Sequence, residues 1–184
     1  IREDPTVSEV SRLIEKYFPE HPGSSDHFWI PTDRKTALKW MNDFFEYRFG
    51  NFGPYEDAIQ SGSEPSLDFL NHSVLSPLMN IGILTPDEVV DAALVSAKKY
   101  KTPLSSVEGF IRQIIGWREF VKGIDLIYGE RQSQSNFFKH QRKLKSCWYE
   151  GKTGLPPVDE AIRKAVRRGY NHHIERLMIL SNVM

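Results

Sequence analysis

Hydrophobic residues recur every three or four positions over most of the chain, which is the spacing that places them on one face of an α-helix. No stretch alternates hydrophobic and polar residues for more than about four positions, as a half-buried β-strand would. The spacing therefore predicts an all-α, multihelical fold. The predicted helices are about 7–18, from near 33 to 49, about 87–100, from near 105 to about 127, about 158–168 and 169–180.

Polar residues, glycine and proline indicate where several of these helices begin and end. The Thr6–Glu9 and Ser105–Glu108 spacings are typical of capping boxes, in which a hydroxyl and a carboxylate satisfy backbone N–H groups of the first turn. Thr85 followed by Pro86 predicts a helix start with the threonine as its cap. The glycines and proline of segment 50–54 are expected to end the second helix.

The composition is that of one globular domain, with charge distributed unevenly along it. The 184 residues suffice to bury a sizeable core, and no apolar run approaches the ~20 residues that cross a membrane. The single cysteine, Cys147, excludes an internal disulfide and favours a reducing compartment. Net charge is −6 over residues 1–70 and +6 over residues 139–176. This basic region suits contact with nucleic-acid phosphates, although a solvated helix face would have the same composition.

A short segment after residue 70 has the features of an anion site. His72, Ser73 and Ser76 surround a predicted helix start, with Pro77 just inside the helix. Free backbone N–H groups at such a start, assisted by serine hydroxyls, bind phosphate. The same residues also form ordinary helix caps, so the pattern alone leaves both interpretations open.

The longest predicted helix carries a polar cluster in an apolar stretch. Gln113 and Trp117 are four residues apart and so face the same side, next to Arg118 and Glu119. Polar groups in such a stretch either border a pocket or pair with one another. The second interpretation predicts a buried Arg118–Glu119 ion pair beside a packing tryptophan.

The last predicted helix carries a second such cluster. His172, His173 and Arg176 lie within one turn and are expected to share one side of the helix, among residues typical of a core. The pattern is equally consistent with histidines that bond to neighbouring carbonyls and with one wall of a polar pocket.

Several common kinds of active site are not supported by the sequence. The histidines and Cys147 do not have the spacing of a zinc site, so no metal site is expected. The chain also contains no phosphate-binding Walker loop, no glycine-rich dinucleotide turn after a strand and no Gly-x-Ser-x-Gly elbow.

Four ordered segments together resemble the photolyase/cryptochrome family, in its C-terminal helical FAD-binding domain. The resemblance is closest to the bacterial iron–sulfur cryptochrome and photolyase-related branch, whose members repair (6-4) photoproducts or act as cryptochromes. The four segments are HSVLSPLMNIGILTP at 72–86, QIIGWREF at 113–120, WYEGKTGLPPVD at 148–159 and NHHIERLM at 171–178.

The resemblance implies that the chain is a piece of a longer, cytoplasmic bacterial protein. Residues 1–32 would form a connector helix and loop, and residues 33–184 part of the helical FAD-binding catalytic domain. The antenna-binding domain of the family would lie outside the chain. Pro157 occupies the place of the first cluster cysteine of the branch, which argues against an iron–sulfur cluster.

The resemblance also implies roles for individual residues. His173 would be the proton donor between flavin and lesion, with His172 beside it, and Trp117 would lie at the mouth where a flipped lesion enters. Trp148 and Tyr149 would transfer electrons to the flavin. The remaining residues implied to contact FAD are Tyr55, His72, Ser73, Val74, Leu75, Ser76, Gln113, Arg118 and Arg176.

The function implied is blue-light-driven repair of UV-damaged DNA. Reduced FAD would pass an electron to a flipped pyrimidine lesion, which is expected to be a (6-4) photoproduct. Two alternatives stay open: a cryptochrome photoreceptor without repair activity, and a helical module that no longer binds FAD. The isolated chain is expected to hold little flavin and to be inactive by itself.

Overall fold

The computed structural model describes residues 4–26, 28–60, 62 and 68–183, and it contains no β-strand within these ranges. The prediction of an all-α fold is confirmed. None of the helices formed by these residues is both long and apolar enough to span a membrane. The helices are α1 (Pro5–Tyr17), α2 (Arg34–Tyr47), α3 (Phe49–Tyr55), α4 (Ser76–Asn80), α5 (Pro86–Tyr100), α6 (Leu104–Ser133), α7 (Cys147–Glu150), α8 (Pro156–Arg168) and α9 (Ser181–Val183), with a π-helical segment at Glu175–Leu180.

The hydrophobic core lies between α2, α3, α5 and α6. Its centre is a cluster of buried phenylalanines from three of these helices, and their ring centroids lie 5.1–5.7 Å apart. Burying a phenylalanine side chain stabilises the fold by roughly 1.5–3 kcal/mol, so this cluster fixes α3 and α6 against each other. The cluster consists of Phe44, Phe45, Phe49, Phe52 and Phe110.

The second helix ends at Tyr47, close to the predicted end, but segment 50–54 is not the cause, because the chain re-enters a helix at Phe49 and continues to Tyr55. Contact with α6 overrides the local signal. The buried Ser106 hydroxyl accepts a hydrogen bond from the Gly53 N–H (2.9 Å) and donates one to the Gly50 carbonyl (3.0 Å). A Cβ at Gly53 would lie only 2.7 Å from the Ser106 nitrogen, so glycine is needed for this close approach.

Substituting Gly53 by alanine is expected to destabilise the fold by about 1–3 kcal/mol, since the new methyl group must push α3 and α6 apart. Gly50→Ala is the matched control in the same helix, because a Cβ there would meet no atom of the described structure within 4 Å. Urea unfolding of both variants measures the difference. Equal stabilities would contradict the close approach.

One predicted helix cap is confirmed and two are wrong. Thr85 and Glu88 form a complete capping box at the start of α5. At α1 the cap is Asp4, whose side chain accepts from the Thr6 N–H (2.9 Å), so the helix begins one residue before the predicted cap. At α6 no side chain caps the first turn, and the helix already begins at Leu104.

Much of the basic charge near the C-terminus is neutralised inside the fold. Lys164 on α8 and Glu175 on the π-helical segment form a salt bridge, and each side chain is only 3% exposed. Arg167 and Arg168 both bond to the buried carboxylate of Asp68, at 2.8 Å each. The interpretation of this helix face as solvated or free for DNA is therefore wrong for Lys164, whereas the Arg167 side chain is still 49% exposed and that of Arg168 22% exposed. The three cations attach the segment before α4 and the C-terminal segment to α8.

Candidate functional site

A cavity of about 460 Å³ lies where the turn before α4, the first half of α6 and the C-terminal segment meet. Its volume is within the range of about 300–1,000 Å³ that is typical of small-molecule sites. The lining residues are Phe52, His72, Ser73, Val74, Ser76, Met79, Phe110, Gln113, Ile114, Trp117, Arg118, Tyr170, His173, Arg176, Leu177 and Ser181.

The structure brings together nine of the residues singled out in the sequence and places five others elsewhere. Tyr55, Leu75, Trp148, Tyr149 and His172 do not line the cavity. The Leu75 side chain is buried in the core, whereas Tyr55 is half exposed. The residues of the set that do line the cavity are His72, Ser73, Val74, Ser76, Gln113, Trp117, Arg118, His173 and Arg176.

The turn at residues 72–76 is held in one conformation by side chains from α2 and from Arg48, which follows it. The Trp40 indole N–H donates to the Ser73 carbonyl (3.0 Å), and Arg48 donates to the His72 carbonyl (2.8 Å). Val74 has a φ of +57°, a left-handed conformation that costs a β-branched residue about 1–3 kcal/mol. Because α4 has only five residues, anion binding here would depend on individual N–H and hydroxyl groups more than on a helix dipole.

His72 forms the floor of the cavity and is 4% exposed. Its Nδ1 lies 3.1 Å from the Phe69 carbonyl oxygen, and its Nε2 lies 3.2 Å from the Glu56 carbonyl oxygen. Burial, and next the charge of His173, lower the pKa of His72 to about 4. The ring is therefore neutral at pH 7 and donates to only one of the two carbonyls, since a neutral imidazole carries a single N–H.

His172 packs behind His72, away from the cavity. The two imidazole rings stack with centroids 4.4 Å apart and planes within 9°. Neither ring nitrogen of His172 forms a hydrogen bond in the described structure, and Nε2 lies 3.4 Å from the Glu175 carboxylate. Burial, followed by the nearby imidazole of His72 and the ammonium of Lys164, lowers the pKa of His172 to about 3.

His173 is half-buried at the cavity wall, with its ring centroid 5.2 Å from that of His72. Burial lowers its pKa, Asp57 opposes the shift and Arg176 adds to it. An anionic group in the cavity would favour the imidazolium and raise this pKa. The position thus suits a group whose protonation responds to what the cavity holds.

Glu56 orients Gln113, a role that no local sequence signal indicated because the two residues are 57 positions apart. The Gln113 amide nitrogen donates to a Glu56 carboxylate oxygen at 2.7 Å. An ionised carboxylate can only accept hydrogen bonds, so the amide nitrogen must face Glu56 and the amide oxygen is left as an acceptor. A Cβ at Gly109 would lie 2.5 Å from the other Glu56 oxygen, so glycine there makes room for the carboxylate.

The two arginines at the cavity contribute positive charge. Arg118 donates to the Ile114 carbonyl (3.3 Å), and burial lowers its pKa. The predicted alternative of a buried Arg118–Glu119 pair is wrong, because Glu119 is exposed and lies 3.9 Å from the ammonium of Lys122. Arg176 is exposed, and within the described ranges it forms no salt bridge.

Trp148 and Tyr149 lie on the short helix α7, outside the cavity lining. Trp148 is half-buried and Tyr149 is exposed. Pro157 lies in the first turn of α8, as helix geometry favours. In the part of the chain that the structure describes, no group of three or more His, Cys, Asp or Glu side chains has the arrangement of a metal site.

Comparison with known proteins identifies relatives over most of the chain. It is 37% identical over 179 residues to a (6-4) photolyase of Agrobacterium fabrum, which covers 97% of the chain and 34% of that protein. It is 39% identical over 116 residues to the protein named "Uncharacterized protein R853" of Acanthamoeba polyphaga mimivirus, covering 62% of the chain and 85% of that protein. It is 28% identical over 157 residues to a deoxyribodipyrimidine photo-lyase of Vibrio cholerae, and the match covers 81% of the chain and 31% of that protein.

The chain therefore spans about a third of the length of each of these two photo-lyases. No protein-family model matches the chain.

Proposed function

This chain belongs to the photolyase/cryptochrome family, and on that premise we propose that it is part of a blue-light-driven, FAD-dependent DNA photolyase that acts on (6-4) photoproducts. The resemblance carried by the four sequence segments is thereby confirmed. The observation that carries the proposal is the cavity itself: three of those segments, distant in sequence, supply its polar wall. The name of the relative that is 37% identical supports (6-4) photoproducts as the substrate.

The residues present fit a flavin dinucleotide. The cavity has a mostly apolar wall with a few polar groups, as expected for a flat ring system. The Ser73 and Ser76 hydroxyls and the N–H groups of the 72–76 turn would hold the diphosphate, and Arg118 and Arg176 would balance its charge. When bound, FAD supplies light absorption and electron transfer to the lesion.

The other cavity residues would position the substrate and hold a proton. Trp117 is half exposed at the cavity, where its ring can pack against a flipped base. The Gln113 amide oxygen, oriented by Glu56, would accept a hydrogen bond from a ligand N–H. His173 would deliver its proton once an anionic group raises its pKa.

Three further assignments belong to the proposal. His172 would act by fixing the His72 ring and the turn that follows it, and Leu75 would contribute only through its backbone. Trp148 and Tyr149 would relay electrons, and Tyr55 would close one edge of the dinucleotide site. Residues 1–32 would form the connector, and residues 33–184 part of the FAD-binding domain.

One observation favours a cryptochrome photoreceptor as the second candidate. The pKa of His173 is lowered by burial, which reduces the imidazolium fraction available for proton transfer at pH 7. Flavin photochemistry that ends in a signal does not need that proton.

Light-dependent repair by the full-length protein that contains this chain tests the proposal. The substrates are one oligonucleotide with a (6-4) photoproduct and one with a cyclobutane dimer. Repair of the first is expected, and His173→Ala should slow it by about 100-fold or more while FAD content is kept, because general acid catalysis contributes about that much. His21→Ala, at a loop residue away from the cavity, is the control. Photoreducible FAD without repair would contradict the repair function and support the photoreceptor.

A further inference from the structure

A second cavity, of about 570 Å³, shares the Gln113 and Trp117 side chains with the cavity described above. These two side chains therefore stand between two open spaces. A glutamine amide without a fixed partner can rotate by 180° and exchange its N–H2 group with its carbonyl oxygen, because the two groups have nearly the same shape. Which of them Gln113 presents to the first cavity thus depends on a partner on the other side.

Glu56, which lines only the second cavity, is that partner. One of its carboxylate oxygens accepts a hydrogen bond from the Gln113 amide nitrogen at 2.7 Å. Within the described ranges the carboxylate forms no other hydrogen bond and no salt bridge. Its negative charge therefore acts on the orientation of a single amide.

The backbone of Glu56 is fixed where the carboxylate begins. Glu56 is the C-terminal cap of α3, and its N–H donates to the Gly53 carbonyl at 3.4 Å. Its carbonyl oxygen lies 3.2 Å from Nε2 of the buried His72 ring. The same residue thus contacts the floor of the first cavity through its backbone and the wall of that cavity through its side chain.

Gly109 on α6 provides the space that the carboxylate occupies. A Cβ at this position would lie 2.5 Å from Oε2 of Glu56 and 3.6 Å from the Phe52 ring. Glycine is less favourable than alanine in a helix interior, so the position has a cost for α6. The carboxylate and its hydrogen bond to Gln113 fit only because that cost is met.

We propose that Glu56 is a positioning residue that fixes Gln113 as a hydrogen-bond acceptor towards the first cavity. The cavity then selects a ligand whose ring imide donates an N–H, and it disfavours a group that can only accept. Both a flavin and a pyrimidine lesion carry such an imide. The inference rests on the proposed function in taking one of these two rings as the ligand.

The first test measures, by NMR of the 184-residue chain in the dark and without ligand, how fast the Gln113 side-chain N–H2 protons exchange with water. A hydrogen bond to a charged group should slow this exchange by about 10- to 100-fold relative to the exposed Gln134 amide. Glu56→Gln keeps the size of the side chain but removes its charge and lets either amide atom face Gln113, so most of the protection should be lost. Gln113→Met assigns the resonance by its disappearance.

Gly109→Ala disturbs the same hydrogen bond without changing either partner, because the new methyl group displaces the Glu56 carboxylate. It should lower the protection of the Gln113 amide as Glu56→Gln does. Gly123→Ala on the same helix is the matched control and should leave the protection unchanged, since a Cβ there would meet no described atom within 4 Å. A Gln113 amide that exchanges as fast as that of Gln134 in the unsubstituted chain would overturn the proposal.

The second test measures ligand binding in the full-length protein that contains this chain. Glu56→Gln should raise either the KM for a (6-4) oligonucleotide or the dissociation constant of FAD by about threefold to tenfold. The quantity that rises identifies whether the lesion or the flavin carries the N–H. The kcat should stay nearly the same, because the hydrogen bond contributes equally to the ground state and the transition state.

Gln113→Met and the double variant with Glu56→Gln show whether Glu56 acts through Gln113. Methionine removes the amide, so Glu56→Gln should weaken binding no further in its presence. Losses that add would mean that Glu56 supports the fold in general, and they would overturn the positioning role. A lower kcat at unchanged KM and unchanged FAD affinity would overturn it as well.

These tests and the repair assay can fail separately, because the exchange measurement needs neither light nor a lesion. A protein that does not repair but whose Gln113 amide is protected by Glu56 would count against the photolyase proposal alone. Repair by a protein whose Gln113 amide is unprotected would count against this inference alone.

Discussion

Replacing Lys164 by methionine is expected to lower the free energy of unfolding by about 3–5 kcal/mol, because it leaves the Glu175 carboxylate buried without its cation. The Glu175 side chain is 3% exposed, so water cannot take the place of the ammonium. Hydrogen bonds from the His172 N–H (3.3 Å) and from the Asn171 amide (3.4 Å) are too long to compensate. Urea unfolding measures the loss.

The double variant Lys164→Met with Glu175→Leu separates loss of the pair from loss of packing. Removing both charges also removes the cost of burying them, so the double variant should be more stable than Lys164→Met alone. Lys39→Met, at an exposed lysine paired with Asp43, is the matched control and should have a much smaller effect. A double variant less stable than Lys164→Met would show that the buried pair is not the cause.

The sequence could not indicate that Lys164 is buried. The hydrophobic spacing of α8 predicts one face formed by Val158, Ala161, Ile162, Ala165 and Val166. Val158, Ala161 and Ile162 are buried as expected, whereas Val166 is 38% exposed. Lys164 lies beside that face, where a long side chain either extends into water or reaches a partner. Only the position of Glu175, which comes from another element, decides between the two.

The same reasoning explains where helix prediction failed. Glycine and proline at 50–54 are local signals against a helix, but the Ser106 hydroxyl on α6 supplies partners for that backbone. The cap at Ser105 was expected from spacing alone, whereas its neighbour Ser106 is fully buried against α3. Contacts across more than 50 residues thus overrode two local patterns.

The candidate site was predictable in outline because most of its polar residues lie in three of the four recognisable segments. The sequence pattern did not, however, predict which of the two histidines faces the cavity. The prediction of a helix over 169–180 is wrong at its start, because helical structure begins only at His173 and His172 lies in the non-helical segment before it. The structure places His173 at the wall and His172 behind His72, and it adds Glu56 and Phe52, which no motif had indicated.

Stability is expected to fall as pH decreases from about 6.5 towards 4, by on the order of 3–6 kcal/mol, because the stacked histidines stay neutral in the fold. The pKa of His72 is lowered to about 4 and that of His172 to about 3. The unfolded chain takes up these protons near pH 6.5, so over this range it binds more protons than the folded chain. A state that binds more protons is favoured by acid, and here that state is the unfolded one.

Unfolding free energies measured between pH 7 and pH 5 test this expectation above the range where most carboxylates titrate. His172→Phe keeps a ring against His72 but removes one titrating group, so its stability should depend less steeply on pH than that of the parent chain. His140→Phe, at an exposed ring, is the control and should keep the parent slope. Equal slopes for His172→Phe and the parent would mean that the His172 ring is charged or hydrated in the folded state, and the packing of the cavity floor would then differ from the one described.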